Sequence, residues 1–253
     1  MGYAWSELTE SGPKREPQRS RSRYLLFAAV PLVISVVLVA TVLTYQRLHS
    51  TGISGYAGGT SVSSLQQLMG LSELPNRAAP NFTLLDQSGQ TVSLSQFRGK
   101  AVALAFMDSR CTTVCPLLAE ELQLAQKDLG SAANKAVFVA VNVNPLAAKV
   151  SDVVAFDTLH GLSGMANWYF LTGTPSQLFN VANRYGISVL VPKNNDPNNI
   201  EHTDYVYLID SKGLERYLVV PVVDVTKSGT GYLPEPTLAQ WGHGFATYLL
   251  KVM

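Results

Sequence analysis

The chain holds two cysteines, and they stand four positions apart in Cys111-Thr112-Thr113-Val114-Cys115-Pro116. Random placement gives that spacing roughly one time in a hundred. Beyond Pro116, Leu118, Leu122, Ala125 and Leu129 recur at helical spacing and Gly130 closes the run. Proline suits the first helical position, where its missing N–H costs nothing. The two thiols therefore belong to a loop entering a helix N-terminus, where unpaired N–H groups and the helix dipole stabilise a thiolate. Such a pair either exchanges electrons with other thiols or holds a soft metal.

Redox pairs of the C-x-x-C type separate their cysteines by two residues, whereas three intervene here. The wider loop lets both sulfurs turn toward one exterior point. Soft thiolates favour Cu(I) and also accept zinc. Two sulfurs are too few for a stable copper site, so a third ligand, an imidazole, is expected. There are four histidines: His49, His160, His202 and His243. His49 adjoins an apolar segment and reads as interfacial. His160 precedes Gly161 at a helix end, where a protonated imidazole favours the dipole. His243 falls within the last helix and reads as structural. His202 lies in the polar loop Glu201-His202-Thr203 before the strand from Asp204 to Ile209. A loop histidine is commonly structural, but this one begins the strand expected beside the cysteine loop, which makes it the candidate ligand.

The elements that position these residues alternate strand with helix. A hairpin is expected from Phe82-Thr83-Leu84-Leu85 and Thr91-Val92-Ser93-Leu94. The uniformly apolar runs 101–106 and 136–141 read as strands covered on both faces. A crossover helix over 151–160, a short strand at 168–171, a helix from Thr174-Pro175 to Gly186, a hairpin about Asp210-Ser211-Lys212-Gly213 and a closing helix over 237–252 complete the domain. This order describes an α/β sandwich of thioredoxin type, with its active loop after the first central strand.

N-terminal to the domain, Lys14, Arg15, Arg19, Arg21 and Arg23 crowd a polar arm, 1–23, that reads as disordered and, by the positive-inside rule, cytoplasmic. Residues 24–46 carry no charge and are long enough to span a hydrocarbon core of about 30 Å. No small-residue cleavage site follows, so an uncleaved single transmembrane helix is expected rather than a signal peptide. Residues 47–78, Gly/Ser-rich at first, read as a flexible tether with one short amphipathic turn near Leu65, and 79–253 as the folded domain. The cysteines then face an extracytoplasmic space, where thiols oxidise unless kept reduced. With Lys+Arg 19 against Asp+Glu 18, nothing suggests a nucleic-acid surface.

Ala79-Pro80-Asn81-Phe82, Gly89, Phe97-Arg98-Gly99-Lys100, the cysteine loop, His202 and Tyr207-Leu208-Ile209-Asp210-Ser211-Lys212-Gly213 together resemble the Sco/SenC family, over about the last two thirds of the chain. These are membrane-anchored, thioredoxin-fold copper proteins. The resemblance implies delivery of copper, as Cu(I) or Cu(II), to the CuA centre of the cytochrome c oxidase subunit that carries it. It also implies possible thiol reduction of that centre, contact with other copper chaperones, and Cys111, Cys115 and His202 as ligands. The membrane would be the cell (inner) membrane, or the mitochondrial inner membrane in a eukaryote. Two departures stand out: Thr112 replaces the usual proline, and Asn144 in Asn142-Val143-Asn144-Pro145 replaces the usual acid.

The alternative function is a tethered thiol–disulfide oxidoreductase in which Cys111 attacks and Cys115 resolves. It uses the same sulfurs and has no need of His202. A peroxidase would need one activated cysteine with a cation beside it, for which Arg110 is placed by sequence. An inert tethered binding domain is the remaining class.

Overall fold

The structure, a computed structural model, describes residues 65–221, 224–225, 231–232 and 235–253. In chain order these form α1 (Leu65–Leu68), β1 (Ser72–Ala78), β2 (Thr83–Leu85), β3 (Thr91–Ser93), β4 (Ala101–Met107), α2 (Val114–Leu129), β5 (Ala136–Asn142) and α3 (Val150–Leu159). There follow β6 (Trp168–Leu171), α4 (Pro175–Arg184), β7 (Val189–Leu190), β8 (Glu201–His202), β9 (Val206–Ile209), β10 (Leu214–Val219), β11 (Asp224–Val225), β12 (Gly231–Tyr232) and α5 (Glu235–Val252).

A six-stranded sheet in the order β1-β10-β9-β4-β5-β6 is the centre of the fold. Its three strands β4, β5 and β6 run parallel, while β9, β10 and β1 pair antiparallel. Every side chain of β4 and of β5 is buried. The period-2 pleat sends Ala101, Ala103, Ala105 and Met107 to one face, against Leu118, Leu122, Phe156, Trp241 and Phe245 of the helices α2, α3 and α5. It sends Val102, Leu104 and Phe106 to the other, against Leu84 and Val92 of the β2–β3 hairpin and Leu178, Val181 and Tyr185 at α4. The three alanines let helices approach closely on the first face. Each fully buried Val, Leu or Phe on the second contributes about 1.5–3 kcal/mol.

This is the expected thioredoxin-like layering, with differences at the edges. Ser72–Ala78, assigned above to the tether, is an edge strand of the main sheet, so the folded region begins before Ala79. Its side chains are mostly exposed and show no apolar alternation, and Pro75 is tolerated because only one edge of the strand is paired. Arg77 lies opposite Glu215 and bonds its fully buried carboxylate. Helix α2 begins at Val114, two residues before Pro116. The whole first turn lacks intrahelical acceptors for its N–H groups, so proline fits at its third position as well as its first. Among the described residues no helix is long and apolar enough to cross a membrane. The arm 1–23, the expected span 24–46, His49 and the tether up to residue 64 lie outside the described residues.

Helices α2 and α5 meet where Gly242 faces Leu124: a Cβ on that glycine would stand 2.5 Å from Leu124 Cβ. Gly242→Val should therefore part the helix that carries the cysteines from the helix that closes the core. The expected cost is about 1–3 kcal/mol, read as a lower denaturant midpoint with an unchanged slope.

Candidate metal and thiol centre

Strand β4 delivers the chain to Asp108, the first charged residue after the buried run. From there the backbone folds into the cysteine loop: Cys111 N–H donates to the Asp108 carbonyl at 3.1 Å, and Arg110 N–H donates to Asp108 Oδ1 at 2.8 Å. Cys115, the second residue of α2, is 1% exposed, and Cys111 is half-buried. Both are free thiols.

Donors converge on Cys111 Sγ. Cys115 N–H, an unpaired amide of the first helical turn, approaches it at 3.4 Å, and Thr113 Oγ1 lies at 3.5 Å. The Cys115 thiol is also directed at it. That contact most of all, then Thr113 and the two amides, outweighs burial and brings Cys111 from its ordinary 9.0 down to about 5. The same contact, together with complete burial, pushes Cys115 well up. One thiolate and one thiol thus share a proton asymmetrically at neutral pH. Arg110 turns away: its guanidinium bonds Asp152 Oδ1 at 2.7 Å. The cation a peroxidase would use is spent on an ion pair.

His202 lies on β8, which pairs with β7 in a separate two-stranded ribbon rather than opening β9. The β4–β9 register matches Ala105 with Val206, and Phe106 N–H reaches the Tyr205 carbonyl at 3.4 Å. Continued past Val206, that register carries residues 203–205 toward Met107 and Asp108. The His202 side chain is only 5% exposed. Its Nδ1 meets two acceptors, the Thr203 carbonyl at 3.2 Å and Asp204 Oδ1 at 3.3 Å. Nδ1 is therefore the ring nitrogen that donates, and Nε2 is not engaged by either acceptor. Among the described residues, no three of His, Cys, Asp or Glu are gathered closely enough to hold a metal. The sulfurs are together, while His202 stands nearby without joining them in one ready-made cluster.

Two carboxylates were missed by sequence reasoning. Burial raises both Asp108 and Asp204, and each feels the His202 imidazole and the Cys111 thiolate. Asp108 is 3% exposed and accepts from Asn144 Nδ2 at 2.7 Å. Asn144 is itself fully buried: it donates to the Pro197 carbonyl at 2.7 Å and accepts from Leu146 and Ala147 N–H, each at 3.0 Å. An aspartate at 144 would set two carboxylates against each other, so Asn144 and Asp108 belong together. The available signal was a lone acid closing an otherwise apolar strand. His243 Nδ1 faces Asp128 at 3.5 Å on the α2–α5 surface, away from the sulfurs. His160 ends α3 as expected, but burial lowers its pKa, so it is no cation for the helix dipole.

The SCO1/SenC family model matches residues 72–222. The chain belongs to the SCO1/SenC family. A SCO1 homologue of Bacillus subtilis is 27% identical over 138 residues, which cover 54% of this chain and 71% of that protein. Among solved structures, a SCO1/SenC family lipoprotein of Bacillus anthracis superposes with a TM-score of 0.56 at 21% identity, covering 71% of this chain and 96% of that one. The copper-bound ScoI of Bradyrhizobium japonicum gives a TM-score of 0.54 at 20% identity, covering 70% of this chain and all of that one. These superpositions establish the shared thioredoxin-like fold.

The thiolate on Cys111 depends first on Cys115. Absorbance of the thiolate against pH should show a midpoint near 5 in the native chain. Cys115→Ala removes the largest stabilising contact, so the midpoint should move up toward 9.0 and the thiolate fraction at neutral pH should fall. An unmoved midpoint would assign the thiolate to the Thr113 hydroxyl and the backbone amides instead.

Proposed function

We propose that this protein carries copper and hands it to the CuA centre of cytochrome c oxidase. Cys111, Cys115 and His202 are the donors, and an N-terminal membrane anchor over 24–46 holds the domain at an extracytoplasmic surface. The single observation that carries this reading is a free dithiol, one member already a thiolate, beside an imidazole whose Nδ1 is tied and whose Nε2 is free. Two thiolates and a neutral imidazole are a donor set for Cu(I). Membership of the family supports the reading, as do the copper-bound structures of the Bradyrhizobium japonicum and Arabidopsis thaliana ScoI proteins.

Copper is cargo in this scheme. The half-buried, deprotonated Cys111 makes the first bond. Cys115 then releases its proton to solvent as its sulfur bonds the metal, as thiol ligands do. The β7–β8 ribbon, separate from the main sheet, brings His202 Nε2 to complete the site, and Asp204 with the Thr203 carbonyl fixes the ring. Handover reverses these exchanges with the acceptor's ligands. A tether between anchor and domain keeps the effective concentration high at a membrane-embedded acceptor.

The asymmetry of the two sulfurs favours a second reading, thiol–disulfide exchange. The Cys111 thiolate would attack a target disulfide and release one target thiolate. Cys115, losing its proton, would then attack Cys111 and release the other, leaving the target reduced and this pair oxidised.

His202→Ala separates the two. Under metal transfer, competition titration should show Cu(I) affinity falling at least about tenfold, while the rate of dithiol reaction with a model disulfide stays within error. Unchanged copper affinity would refute the ligand role of His202 and leave disulfide exchange as the function.

A further inference from the structure

Three histidines lie in the described residues, and their ring nitrogens are not alike. His202 and His243 each hold a carboxylate at Nδ1, Asp204 and Asp128 respectively. Among the described residues, neither ring nitrogen of His160 has a hydrogen-bond partner. Its backbone, by contrast, is fixed on both sides: its N–H donates to the Phe156 carbonyl at 3.0 Å, and its carbonyl accepts from Gln123 Nε2 at 3.1 Å. The ring itself packs on Phe156, with centroids 4.3 Å apart. A held imidazole with both nitrogens unspent is a donor in waiting.

Its position gives that donor a use. An open groove runs beside the cysteine loop, with Cys111, Pro116, Asp152, Phe156, Leu159 and His160 on its walls. The Arg110–Asp152 ion pair neutralises the charges there, and Leu159 is 78% exposed. Two of the three proposed donors are buried. Cys115 is 1% exposed and the His202 side chain 5%. The half-buried Cys111 is the one that an acceptor protein can reach, and it lies on the groove wall. His160 feels the Cys111 thiolate across it, and burial keeps its imidazole neutral.

Resting on the metal-transfer reading above, we propose that His160 is the exit ligand: copper leaving Cys111, Cys115 and His202 passes to Cys111 and His160 on the groove wall before an acceptor takes it. In that step the bonds to Cys115 and His202 break, a bond to a His160 ring nitrogen forms, and Cys115 regains a proton from solvent. The metal stays Cu(I) throughout, and no oxidant or reductant is needed. A largely apolar wall suits a soft, weakly hydrated ion in a low-coordinate intermediate.

The test uses the full chain loaded with one Cu(I) and a soluble bathocuproine chelator as acceptor. His160→Phe keeps an aromatic ring on Phe156 and removes the donor. Equilibrium Cu(I) affinity, set by the inner ligands, should move less than about twofold. The transfer rate should fall about tenfold, the equivalent of about 1.4 kcal/mol in the barrier. In the His202→Ala variant, Cu(I) should shift the His160 ring resonances in the NMR spectrum. A His160→Phe transfer rate equal to that of the native chain, with His160 resonances unmoved, would overturn the exit-ligand role alone. Failure of the native chain to take up Cu(I) through its two cysteines would overturn the metal-transfer reading, and this inference with it.

Discussion

A negative charge held on Cys111 against partial burial organises the site. It exists because a thiol, a hydroxyl and amides of the first helical turn all point at one sulfur. Each donor is placed by something larger. Helix α2 begins at Val114 and so leaves the Cys115 amide without an intrahelical acceptor. The same helix start buries Cys115 and keeps its proton on, which makes that thiol a donor rather than a rival anion. Remove the asymmetry, and neither soft-metal capture nor directed disulfide attack has a starting point.

Around that charge the chain arranges polar groups largely withdrawn from solvent, each with a hydrogen-bonding partner. Asp108 and Asp204 bring two carboxyls near the thiolate, which is costly in a low-dielectric setting. The Asn144 amide offsets the first by donating to it, and the His202 Nδ1–H offsets the second. The departure from the usual acid at Asn144 is thereby explained as one half of a pair. With Asp108 at the end of β4, an amide at the end of β5 is what the geometry requires.

The central fold was legible because β4 and β5 are unbroken apolar runs and α2 carries a clear period. The hairpins followed from Asp-Gln-Ser-Gly and Asp-Ser-Lys-Gly turns. The edge strand β1 was not legible: Ser72–Ala78 buries almost nothing and is held by backbone pairing and the Arg77–Glu215 ion pair, which leave no hydrophobic pattern. The two cysteines were legible from spacing alone, and the placing of His202 near them from strand order. Its seat in a separate ribbon was not, since two-residue strands have no period to read. His160 looked like a helix-end cation, because burial by Phe156 and the free ring nitrogens appear only once α3 packs beside the cysteine loop.

X-ray absorption of the full chain loaded with one equivalent of Cu(I) tests the central claim most directly. Two sulfur scatterers and one imidazole nitrogen in the first shell, with the imidazole signature lost in the His202→Ala variant, is the expected result. A copper environment without sulfur, or a native-chain spectrum identical to that of the His202→Ala variant, would contradict the account.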